Sequence, residues 1–265
     1  MKKIISFILI LLLISVYPLY NLACVMTKAE NPAAETADGL AILGSYSAAD
    51  VKTVEKKIAE FRKKKTQRYG ASEEEIKAAL KNLDAGKTTY RKLFRSTYIM
   101  GDSLMNGLEI YNILNPDRLI TQVSASFTHF DENYSKIVSV NPKVLILHYG
   151  INMIGTNENH RKSFISNYTK RIKKLKKALP DTRIIVSGLF PVDRKVAKAE
   201  RFKNIGSYNK SLKGMCKDLK VEFLDSSSVL KAHPECYGVD GIHLNKTFYS
   251  KYWLRFIVKE KGIVG

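Results

Sequence analysis

Along the chain the hydrophobic positions change period several times, and each change marks an element. Tyr98, Ile99 and Met100 run into Gly101-Asp-Ser103, after which Leu104, Leu108, Ile110 and Tyr111 recur at helical spacing, so a strand gives way to a helix at Ser103. Residues 118–123 predict a second strand, residues 130–140 a helix, and residues 142–148 a third strand that is nearly all apolar, as a strand covered on both faces is. Phe164, Tyr168, Ile172, Leu175 and Leu179 draw one stripe along a long basic helix closed by Pro180. Residues 182–189 and 221–225 predict the fourth and fifth strands, with a helix near 200–219 between them and a last helix from about Lys246 to Lys259. Strands alternating with helices predict an α/β fold: a five-stranded parallel sheet joined by right-handed crossovers into a three-layer α/β/α sandwich over residues 95–265.

Before this domain the pattern is different. Lys2 and Lys3 precede an apolar run over residues 4–16, and residues 17–26 stay mostly apolar although Pro18 and Asn21 interrupt them. Residues 1–26 read as a signal peptide or a retained membrane anchor. Leu22-Ala-Cys24 resembles a lipoprotein cleavage site, with Asn21 where an aliphatic residue is usual. In each case the basic end stays cytoplasmic and the bulk of the chain is exported. Residues 27–49, rich in Ala, Glu, Asn and Ser and without a sustained period, read as a linker. Residues 50–94 read as a basic helical region, with one stripe at Val51, Val54, Ile58 and Phe61 and a second at Ile76, Leu80 and Leu83, the latter opened by a Ser72/Glu75 capping box. A basic stalk would account for this region. So would a helical hairpin packed on the main domain with its charges in water, and we take the hairpin.

A formal charge of +19 first suggests nucleic acid. The chain has no zinc-finger spacing, no aromatic RNA-binding signature and no isolated basic tail, so nucleic acid is not an expected partner. On an exported protein the same charge faces anionic lipid head groups and wall polymers. Of the three cysteines Cys24 lies in the leader, leaving Cys216 and Cys236 either as a disulfide or as buried thiols. Twenty residues apart and without short-spaced partners, they make a poor zinc site. No metal or organic cofactor is expected.

The candidate chemistry sits at strand ends. Ser103 follows the first strand at a helix N-terminus, where backbone N–H groups and the positive end of the helix dipole surround it. Taken alone, Asp102 or Ser103 reads as an ordinary N-cap. Beyond the third strand, Gly150-Ile-Asn152 puts a turn and an amide donor on the same edge; Asn152 suits a developing oxyanion, or simply a turn. Beyond the fifth, Asp240 and His243 lie three apart around Gly241, so one loop carries a carboxylate and the imidazole it would orient. His129 and His148 lack that spacing and are taken as structural.

In this order, Gly101-Asp-Ser103, Gly150-x-Asn152 and Asp240-x-x-His243 resemble the motifs of the SGNH, or GDSL, hydrolase family over roughly residues 95–262. The resemblance implies a flavodoxin-like sheet and a triad with Ser103 as nucleophile, His243 as base and Asp240 as its orienter. It also implies an oxyanion hole made by Asn152 and the backbone N–H of Ser103. A glycine after the second strand usually completes that hole; here Val123-Ser-Ala-Ser126 stands in its place, leaving Ser124 or Ala125 to supply the N–H, with Ser124 the candidate. Met153 stands where an acidic residue often follows the Asn.

The expected activity is that of an exported serine esterase removing or transferring O-acyl groups, most often acetyl, on envelope or extracellular glycans through an acyl-enzyme. The alternatives are an O-acetyltransferase working with a separate multi-span membrane protein as acyl donor, a lipid esterase, and a non-catalytic glycan-binding module on the same fold.

Overall fold

The sheet is made from the most apolar runs of the chain. In a computed structural model that describes residues 70–265, with Thr53 and Glu55 as isolated positions before them, β1 (Thr97–Gly101) and β3 (Val144–His148) are buried at every position. They pair in parallel at the sheet centre, from Thr97 opposite Val144 to Gly101 opposite His148. β2 (Leu119–Thr121) flanks β1, while β4 (Arg183–Ser187) and β5 (Glu222–Leu224) extend the sheet beyond β3. All pairings are parallel and the order is 2-1-3-4-5. This is the flavodoxin-like order, whose crevice opens where the chain reverses direction, between the carboxyl ends of β1 and β3.

Helices cover both faces. α1 (Glu73–Asp84) and the short α2 (Tyr90–Leu93) precede β1, and α3 (Ser103–Ile110) follows it. α4 (Phe127–Glu132) and α5 (Tyr134–Val140) lead to β3, α6 (Glu158–Ala178) to β4 and α7 (Ile205–Leu219) to β5, with α8 (Ser227–Ala232) and α9 (Leu254–Lys261) closing the chain. Because crossovers are right-handed, α3 lies on one face and the helices after β2, β3 and β4 on the other. The packing agrees: Phe127 of α4 stacks on Phe164 of α6, whose ring also meets Tyr208 of α7. α9 packs on α1, where Arg255 pairs with Asp84. The Ser72/Glu75 capping box is formed. Among the described residues, no helix is long and apolar enough to cross a membrane. The leader, the linker and the stripe at Val51, Val54, Ile58 and Phe61 lie outside the described residues.

Two helices differ from the sequence pattern. The helix expected over 130–140 starts at Phe127, because the Ser126 hydroxyl caps the N–H of Thr128, and it breaks at Asn133, whose side-chain amide donates to the His129 carbonyl. The last helix opens with a π turn at Phe248–Trp253. That wider turn puts Phe248 and Trp253, five residues apart, on one buried side, where their rings stack with centroids 6.3 Å apart. Cys216 and Cys236 are both free and buried, so the disulfide alternative is not formed.

Candidate active site

β1 must end close against β3 for its serine to reach the crevice, and Gly101 permits that approach. A Cβ there would lie 2.6 Å from the His148 carbonyl oxygen and 2.6 Å from Met105 Cγ. Since the first of these is backbone and cannot swing away, Gly101→Ala is expected to cost about 1–3 kcal/mol, read from urea unfolding.

The next two residues take up separate roles. Asp102 is the N-cap: its Oδ1 accepts the Leu104 N–H at 3.1 Å. Ser103, the first residue of α3, is thereby free to turn its hydroxyl toward the loop after α8. There Gly241, at φ +71°, makes the turn that folds Asp240 and His243 onto each other. Asp240 Oδ1 accepts the N–H groups of Ile242 at 3.0 Å and His243 at 2.9 Å, while Oδ2 meets His243 Nδ1 at 2.5 Å. On its other side His243 Nε2 lies 2.9 Å from Ser103 Oγ. Residues 140 positions apart are joined in one line of contacts, carboxylate to imidazole to hydroxyl.

Electrostatics hold the carboxylate ionised. Burial pushes the Asp240 pKa up, but the bond from the His243 ring and the two backbone N–H groups outweigh it and bring it down to about 2. An ionised Asp240 keeps the proton of neutral His243 on Nδ1 and leaves Nε2 as the acceptor facing Ser103.

Asn152 follows β3 on the neighbouring side of the crevice. One N–H of its amide donates to the Ala125 carbonyl at 3.2 Å, which ties the loop after β3 to the loop after β2 and leaves the second N–H for another acceptor. Ala125 is buried with its own N–H donated to the Gln122 carbonyl. Ser124 is exposed at φ +58°, a left-handed conformation that glycine adopts freely and that costs another residue roughly 1–2 kcal/mol.

His129 and His148 stand apart from this line. His129 Nδ1 lies 2.8 Å from the Tyr149 hydroxyl, and fully buried His148 sets Nδ1 3.1 Å from Ser187 Oγ. Burial drives the His148 pKa down to about 3, so it is neutral near pH 7. Pattern reasoning missed how deeply Asp102 is buried. Its Oδ2 has no hydrogen-bond partner, and the N–H groups of Gly150 and Ile151 lie nearby without ordinary bonding geometry. Burial, opposed by those N–H groups, that of Leu104 and the His243 charge, raises its pKa to about 7. The signal available was its place between a buried strand and an apolar helix, which a surface cap would not have.

Comparison with known proteins bears on the family and the fold. No curated protein matches the chain. Among solved structures, a candidate GDSL-like lipase from Parabacteroides merdae superposes with a TM-score of 0.51 at 14% identity, over 63% of this chain and 95% of that one. A GDSL-like lipase from Bacteroides thetaiotaomicron gives a TM-score of 0.49 at 13% identity over 71% and 98%. A catalytic mutant of an acetylxylan esterase from Geobacillus stearothermophilus gives 0.49 at 10% identity over 63% and 93%. At such identities the first likeness speaks for the fold alone. The model of the GDSL-like lipase/acylhydrolase family matches residues 99–251, from within β1 to beyond His243, and the chain is a member of that family of serine hydrolases.

Proposed function

We propose that the protein is an exported serine esterase that removes O-acyl groups, acetyl foremost, from envelope or extracellular glycans. The observation that carries the chemistry is the placing of His243 between Ser103 Oγ and Asp240. In this reading His243 Nε2 takes the hydroxyl proton as Ser103 Oγ attacks the ester carbonyl. Negative charge develops on the carbonyl oxygen, where the free N–H of Asn152 and the backbone N–H groups of Ser103 and Ser124 stabilise it. His243 then returns the proton to the departing alcohol oxygen, leaving an acyl-enzyme. Water attacks that acyl group with His243 again as base, the Ser103–acyl bond breaks as His243 returns the proton to Ser103 Oγ, and the carboxylic acid leaves. The left-handed backbone at Ser124 is the geometry a glycine would favour, which supports this residue as the stand-in for the usual one.

Hydrolysis is favoured over transfer by the openness of the site. The side chains of His243 and Asp240 are 52% and 48% exposed, so water has ready access to an acyl-enzyme. A transferase must keep water out until its acceptor arrives, and would need a separate multi-span membrane partner as donor. Export and membrane attachment rest on residues 1–26 and on the +19 charge, which suits an anionic envelope.

A fluorophosphonate probe and p-nitrophenyl acetate test the chemistry together. The full chain is expected to be labelled and to release p-nitrophenol, and Ser103→Ala to do neither. A folded wild type that takes no label would favour the glycan-binding module; one that takes the label but turns over only with an acceptor alcohol would favour the transferase.

A further inference from the structure

A groove of about 380 Å³ starts at Asn152 and runs along the first turns of α6. This volume lies near the lower end of the roughly 300–1,000 Å³ range of small-molecule sites. Asn152, which follows β3 at the same sheet edge as Ser103, belongs both to this lining and to the expected oxyanion hole. Part of the groove's lining is apolar. Phe127 is held there by stacking on Phe164 at 5.3 Å and by the Arg171 guanidinium 4.5 Å from its ring centre, and Met153 lies alongside.

The rest is a polar wall, and the backbone holds it in place. A Cβ on Gly155 would lie 2.3 Å from His160 Nδ1, so the imidazole rests directly on the glycine. Gly155 is anchored in turn by its N–H to the Tyr208 hydroxyl at 2.9 Å. Two turns further on, the Asn167 amide donates to the Ser163 carbonyl at 2.9 Å, which orients its Oδ1 as an acceptor without a partner among the described residues. His160, Ser163 and Asn167 thus line one side with hydrogen-bonding groups.

We propose that this groove binds the alcohol part of the ester, and that this part is a sugar. The inference rests on the esterase reading and extends it to a subsite and its ligand. A fatty acyl chain has no donor for the polar wall, and burying that wall against it would strand Asn167 Oδ1. A sugar ring matches both walls, since its C–H surface meets apolar side chains and its hydroxyls pair with Asn167, Ser163 and His160. The acetyl group needs little room and stays at Ser103.

Two variants of the full chain separate the alternatives. Asn167→Leu keeps the size of the side chain and removes its acceptor, and Met153→Trp narrows the groove. Each is expected to lower kcat/KM for 6-O-acetylglucose, whose remaining hydroxyls are free to donate to Asn167, about tenfold while leaving p-nitrophenyl acetate within about twofold. An unchanged rate on 6-O-acetylglucose would overturn the sugar assignment, and a rise in p-nitrophenyl octanoate over acetate in Asn167→Leu would overturn it and give the groove to the acyl chain. Binding is read separately from turnover in Ser103→Ala, from the amide resonances of Gly155 and Asn167 titrated with cellobiose. Shifts that vanish in Ser103→Ala/Met153→Trp support the groove even if the esterase reading fails. Silence in Ser103→Ala overturns the groove even if that reading holds.

Discussion

Ser103→Ala is expected to lower kcat on p-nitrophenyl acetate by roughly 10⁴–10⁶-fold, and His243→Ala by a similar factor. The double variant should be no slower than the worse single one. The reason is the single line of contacts: His243 Nε2 at 2.9 Å from Ser103 Oγ can help only a hydroxyl that is there, and the hydroxyl attacks effectively only when its proton has somewhere to go. Asp240→Asn should cost roughly 10⁴-fold, because an amide facing Nδ1 favours the tautomer with its proton on Nε2, which leaves Ser103 without a base. Losses that multiply in the double variant would mean that the two groups act independently, and the triad would have to be abandoned. Residual turnover in all three should stay above that of water, since Asn152 and the backbone N–H groups remain.

How far the sequence reaches depends on how local each signal is. The strands were readable because β1 and β3 are covered on both faces, and a strand so covered must be apolar at nearly every position. Ser103, Asp240 and His243 were readable because each sits where a buried run ends. Their meeting across 140 residues came from the ordered resemblance, since no local pattern carries it. What escaped was tertiary in origin. Neither the π turn at Phe248–Trp253 nor the break at Asn133 has a periodic signature, because each is decided by what the neighbouring ring or carbonyl requires. The groove escaped for the same reason: Phe127, Met153 and Asn167 are far apart in sequence and acquire a shared face only when α4 and α6 pack. Asp102 is the instructive case. Its capping role follows from its neighbours, but its burial depends on β3 lying beside it, so its near-neutral pKa could be found only in three dimensions.

That pKa makes the second large prediction, a change in how stability depends on pH. Asp102 is raised from 3.8 to about 7, so between those values the folded chain holds a proton that the unfolded chain has released. Stability contributed by this group therefore falls as pH rises through the window, by up to about 4 kcal/mol in all. His148 acts with the opposite sign. Its pKa is lowered from 6.5 to about 3, so below 6.5 the unfolded chain binds a proton that the folded one refuses, and stability falls as pH drops. Between about pH 4 and 6.5 the two slopes largely cancel, and neither shows in the wild type. Asp102→Asn removes one of them. Asn is as good an N-cap as Asp, so the bond from Leu104 can survive, and the new N–H₂ near the Gly150 and Ile151 amides costs the same at every pH. Urea unfolding of wild type and Asp102→Asn at pH 4.5 and pH 8 isolates the titration from that fixed cost. The variant should gain on the wild type by about 2–4 kcal/mol between the two conditions, whichever is the more stable at the start. Parallel stability curves would show that Asp102 is already ionised in the folded protein at pH 4.5, with the N–H groups of Leu104, Gly150 and Ile151 outweighing its burial.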